Sequence, residues 1–136
     1  MGRRIFAGLF CCFMVLSLCS CSFTEGKTEK IRDIEYTVVK ENEIPDLLTD
    51  KIGEQKEETM KLTYLEDEYL YIVKGYGKQD TGGYSISVKE LYLTENAIYF
   101  STEFHGPKKG ELITDAPSFP YIVIKLEKID KPVVFE

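Results

Sequence analysis

Apolar residues recur along this chain with three different periods, and each period predicts a different element. The run from Ile5 to Leu18 is continuous, broken only by Gly8 and Ser17. From Ile31 to Lys40 apolar and polar positions alternate, with Ile34, Tyr36 and Val38 on one face, which predicts a half-buried strand. Ile44, Leu47, Leu48 and Ile52 then fall at helical spacing. Pro45 suits a first helical turn, where its missing N–H is not needed, and Asp46 suits the positive end of the helix dipole. The spacing predicts a helix over residues 44–57, weakened or ended early by Gly53.

Everything after the helix reads as strand. Met60, Leu62 and Tyr64 alternate with polar residues, and Glu66-Asp67-Glu68 makes a polar turn. Tyr69-Leu70-Tyr71-Ile72-Val73 is apolar at every position, which predicts a central strand covered on both faces. Tyr84, Ile86 and Val88 alternate, then the phase slips near Glu90 before Leu91 and Leu93, which predicts a bulge. Thr94-Glu95-Asn96 turns the chain into a strand with Ile98, Phe100, Thr102 and Phe104 on one face. A long loop from His105 to Phe119 precedes the last long strand, marked by Ile122, Ile124 and Leu126, and Pro132 to Phe135 ends the chain as a short strand or extended tail. The sum is α+β: an antiparallel β-sheet of about five to seven strands with one N-terminal helix packed on one face.

The first apolar run changes the picture of location. Arg3 and Arg4 precede a stretch too short for a bilayer-spanning helix, which takes about 20 apolar residues, so residues 1–20 read as a lipoprotein signal peptide. An uncleaved membrane anchor is the competing reading. Leu18-Cys19-Ser20-Cys21 resembles a bacterial lipobox and makes Cys21 the expected lipidation site, with Cys19 the weaker alternative because the large Leu18 precedes it. Acylation at Cys21 would supply more than one hydrocarbon chain, about what stable attachment needs. The expected location is the extracytoplasmic face of a cell membrane or outer envelope. Residues 21–30 then read as a flexible tether and residues 31–136 as one domain. Cleavage leaves that domain without a thiol, so it has no cysteine nucleophile, disulfide or cysteine zinc site.

Charge excludes further classes. The chain carries 17 basic and 23 acidic residues, a formal −6. Losing Arg3 and Arg4 takes the basic count to 15 and the charge to −8. That acidity argues against nucleic acid and against anionic lipid as surface partners. His105 is the only histidine and reads as a solvated turn residue. Ser85 lies outside a Gly-x-Ser-x-Gly elbow, so a Ser/His/Asp triad has no sequence support. A hydrolase would need His105 beside Ser85 and an acid in a pocket. The clusters Glu66-Asp67-Glu68 and Glu54, Glu57, Glu58 lack a twelve-residue calcium loop and read as solvated surface. No catalytic residue, metal, cofactor or small-molecule substrate is expected.

The strongest local feature is the segment from Gly75 to Ile86, which contains Thr81-Gly82-Gly83-Tyr84. Paired glycines allow positive φ and close backbone approach, either in a plain hairpin or in a partner-binding loop. The glycines lead into a strand, not a helix N-terminus, so a phosphate-binding loop is excluded. Tyr76, Tyr84 and Tyr121 flank loops, where an aromatic ring can anchor a partner.

From Tyr69 to Lys128 the chain resembles the C-terminal domain of the PrcB protease-complex subunit family. The matching parts are Val73-Lys74-Gly75, Thr81 to Ile86, Pro107 through Gly110, and Phe119-Pro120-Tyr121 leading into Ile122 to Leu126. The resemblance implies an envelope lipoprotein with a binding or assembly role, partnered by a protein such as an exported protease. It supplies no catalytic residue. The expected partner-binding residues are Thr81, Gly82, Gly83, Tyr84, Pro120 and Tyr121. A weaker similarity, of Thr81 to Tyr84 to the Thr-Thr-Gly-aromatic loop of chagasin-type inhibitors, implies direct protease inhibition as the alternative.

Overall fold

The computed structural model describes residues 29–136. The signal peptide, Cys21 and residues 22–28 of the tether lie outside the described residues. Eight strands and one helix follow in order: β1 (Lys30–Asp33), β2 (Thr37–Val38), a 3-10 turn (Glu41–Glu43), α1 (Asp46–Gln55), β3 (Thr59–Glu66), β4 (Tyr69–Tyr76), β5 (Ser85–Thr94), β6 (Ile98–His105), β7 (Tyr121–Glu127) and β8 (Val133–Phe135).

The strands form two sheets of four, not the single sheet expected. Their orders are β1-β5-β6-β8 and β2-β7-β4-β3. Every pairing is antiparallel except β6 with β8, which is parallel. The physical reason is the number of apolar faces. Leu70, Ile72, Ile122, Ile124 and Leu126 on one sheet meet Leu91, Leu93, Ile98 and Phe100 on the other, which makes the main core. The opposite face of the second sheet presents Met60, Tyr71, Val73 and Val123, and Ile44, Leu48 and Ile52 of the helical segment cover it. The result is three layers: sheet, sheet, helix. The continuous apolar run of β4 follows from its central place, with Leu70 and Ile72 turned to one layer and Tyr71 and Val73 to the other.

Two elements depart from the sequence pattern. The alternating stretch after Ile31 is not one strand. Ile34 drops into the core between the sheets, and the chain passes from β1 in one sheet to β2 in the other. Tyr36 and Val38 consequently remain exposed. β1 also takes in Lys30, at the tether's expected end. The helix is shorter than residues 44–57, and its apolar stripe is narrower. Ile44, Leu48 and Ile52 recur every fourth residue and are buried, whereas Leu47 lies off that line and is 63% exposed. Gly53 is tolerated inside the helix, two residues before its end.

Other expectations match. The β5 register slips between Val88 and Glu90. The Thr94 hydroxyl oxygen accepts from the backbone N–H of Asn96 and of Ala97, at 3.2 and 3.0 Å, which closes the β5–β6 turn.

Candidate functional site

Two loops meet at one end of the sandwich: residues 77–84 between β4 and β5, and residues 106–120 between β6 and β7. Strand alternation sets the wall behind them. On β4 the phase of Leu70 and Ile72 continues to Lys74 and Tyr76; on β6 the phase of Ile98 and Phe100 continues to Thr102 and Phe104. At this end the aliphatic core gives way to a column of rings. Tyr76 stacks on Phe104 with centroids 4.2 Å apart and planes 4° apart. Tyr84 stacks on Phe104 at 5.2 Å and 13°. The Lys74 ammonium sits 4.8 Å from the Tyr76 centroid, and the Tyr76 and Thr102 hydroxyls share a hydrogen bond. Desolvation, with Lys61 paired opposite on β3, lowers the Lys74 pKa.

The glycines fasten the loops. Gly77, at φ +81°, passes so close to the chain after the helix that a Cβ would lie 3.3 Å from backbone atoms of Glu57, Glu58 and Thr59. The Lys78 N–H donates to the Glu57 carbonyl at 3.1 Å. Gln79 and Ser118 exchange two backbone hydrogen bonds, at 2.8 and 3.0 Å. The Gly82 N–H donates to the Thr114 carbonyl at 2.9 Å, and the Ser118 hydroxyl donates to the Thr81 carbonyl at 2.7 Å. Gly83, at φ +92°, leaves a gap that Ile113 and Pro107 fill. The two loops are thus a single bonded unit.

The six residues singled out in the sequence fall into two groups. Thr81, Gly82, Gly83 and Tyr84 lie in this unit, where Gly82, Gly83 and the Tyr84 ring are packed against the neighbouring loop and Phe104. Pro120 and Tyr121 line a groove of about 320 Å³ toward the helix, with Val38, Ile44 and Phe119. Burial, and then the nearby Glu41 carboxylate, raise the Tyr121 pKa. The Lys56 ammonium lies 4.9 Å from the Phe119 ring centroid. The Pro120 carbonyl accepts from the Tyr76 N–H at 3.1 Å, which fastens Pro120 to the end of β4 beside the ring column.

Sequence reasoning missed the most exposed apolar residues of the unit. Leu112 is 98% exposed and Ile113 42% exposed. Their signal was an apolar pair inside a polar loop that no strand phase accounts for. His105, expected solvated at a strand end, is the last residue of β6 and exposed, opposite Ser85. Its Nε2 lies 2.9 Å from the hydroxyl of Ser87, not of Ser85, and both residues are on exposed sheet surface. A larger concavity of about 700 Å³ lies toward the far end of the sandwich, among Arg32, Tyr36, Tyr69, Lys125 and Lys128. Among the described residues no three His, Cys, Asp or Glu side chains form a metal-holding group, and no helix is long and apolar enough to cross a membrane.

No curated protein and no solved structure matches the chain. The family model described as PrcB C-terminal matches residues 70–127, which run from β4 through β7. It therefore contains the inner pair of each sheet and both loops, while β1, β2, the helix, β3 and β8 are added on its flanks. Over residues 70–127, under half of its length, the chain is similar to the PrcB C-terminal family.

Proposed function

We propose that this protein is a lipid-anchored, extracytoplasmic binding module that serves as an accessory or assembly subunit of an exported protease or other envelope complex. The observation that carries the reading is that the family match encloses the whole two-loop unit. The rigid part of the site is the buckle of Gly82, Gly83 and Tyr84; the contact part is the apolar tip at Leu112 and Ile113 and the groove at Pro120 and Tyr121. An exposed leucine on a braced loop can enter a partner's apolar recess with little ordering cost. Cys21 is the acylated residue in this reading, and the folded domain acts by binding, not by bond-making chemistry. An inhibitory wedge at Thr81–Tyr84 has less to recommend it, because these residues are held against Ile113, Thr114 and Phe104 and do not project.

Anchoring is tested by metabolic labelling with a palmitate analogue and detergent-phase partition of the wild type and of Cys21→Ser. The reading expects label and detergent partition in the wild type and loss of both in the variant. Equal behaviour of the two proteins would contradict it.

A further inference from the structure

The two ends of the sandwich have different neighbours. Lys30 pairs opposite Thr94, so the N-terminal segment joins the domain at the end made by the β5–β6 turn. The turn before β4 and the chain leading to β8 close the same end. There the Lys128 N–H donates to the Glu68 carbonyl at 2.9 Å, and the Lys131 ammonium donates to the Glu95 carbonyl at 2.6 Å. The loop unit occupies the other end, where Ser85 pairs with His105 and Gly75 with Tyr121. The ten residues of β5 separate the two ends, about 33 Å at ~3.3 Å per residue.

From this we infer that the anchored domain carries its loop unit at the pole facing away from the membrane. Its partner is then a protein whose docking surface stands off from the bilayer by about the length of the domain and offers an apolar recess to Leu112. The inference rests on the acylation of Cys21 proposed above. Residues 22–29 reach at most about 28 Å when fully extended. The tip meets the bilayer only if the domain folds back along its own tether. Charge opposes that posture, because the processed chain is acidic and Lys108 and Lys109 share their loop with Glu111 and Asp115. The tip, with Leu112 and the half-covered Ile113, also offers too little apolar surface to hold a domain on lipid.

The test uses the acylated chain in vesicles of phosphatidylethanolamine and phosphatidylglycerol that carry an acceptor-labelled lipid. A donor is attached at Glu95→Cys in one variant and at Lys109→Cys in another; the described residues contain no native cysteine. Energy transfer from position 95 should exceed that from position 109 roughly twofold or more, as a separation of about 33 Å requires. Equal transfer, or stronger transfer from position 109, overturns the inference. Failure of both variants to associate with vesicles overturns the anchoring itself, and the two failures are distinguishable.

Discussion

Gly83 and Ile113 are in contact across the two loops: a Cβ built on Gly83 would stand 2.8 Å from Cγ2 of Ile113. The same Gly83 has φ +92°, a conformation that side chains disfavour. Gly83→Ala therefore combines backbone strain with a steric conflict, and we expect a loss of about 1–3 kcal/mol. Hydrogen exchange should show faster opening of residues 79–84 and 112–118 together, because Gly82 and Thr114 share a hydrogen bond. Unchanged exchange in both loops would show that they are not one unit.

Phe104 stacks with Tyr76 on one side and Tyr84 on the other. Phe104→Ala removes both contacts, at ~0.5–1.5 kcal/mol each beyond lost burial. Denaturant melts should register at least about 2 kcal/mol, more than for Tyr84→Ala, which breaks one contact.

The burial of the Lys74 ammonium, with Lys61 opposite, lowers its pKa in the folded chain. The unfolded chain then binds more protons between the lowered value and the ordinary lysine value of 10.5, so this residue's contribution to stability improves as pH rises through that window. The stability advantage of Lys74→Met over the wild type should accordingly be largest below the window and shrink as pH approaches 10.5. Urea melts at neutral and alkaline pH measure the difference, and an advantage that grew with pH would contradict the assignment.

The family-matched segment alone, residues 70–127, lacks the helix and β3. Tyr71, Val73 and Val123 would then lose Ile44, Leu48, Ile52 and Met60 as cover. Losing one such side chain costs ~2–5 kcal/mol, against a total stability of ~5–15 kcal/mol for a domain. A fragment of residues 70–127 should show no cooperative thermal transition, whereas residues 29–136 should melt in one step.

The strands were legible where one residue phase served one face. Tyr69 to Val73 announced a strand covered on both sides, which holds from Leu70 onward while Tyr69 at the strand's end is exposed, and the break after Val88 announced the bulge. The second sheet was not legible, because alternation says which residues turn inward and not whose inward residues they meet. Ile34, Tyr36 and Val38 share a phase, yet only Ile34 is buried, since the chain changes sheets after it. The loops posed the same problem. Thr81-Gly82-Gly83-Tyr84 stood out because glycine pairs are rare and conformationally telling. Their partners Pro107, Ile113 and Thr114 are distant in sequence and follow no period. The motif marked where the loops are fastened, and the exposed tip lay some thirty residues away, at Leu112.

The most direct measurement is a quantitative comparison of what co-purifies from the native envelope with the wild type and with Leu112→Asp, after circular dichroism shows that the two melt alike. The account predicts that one set of envelope proteins, an exported protease component among them, accompanies the wild type and falls at least about tenfold with the variant, as removal of a central apolar anchor does. Identical sets from the two proteins, or no companion for the wild type, would contradict it.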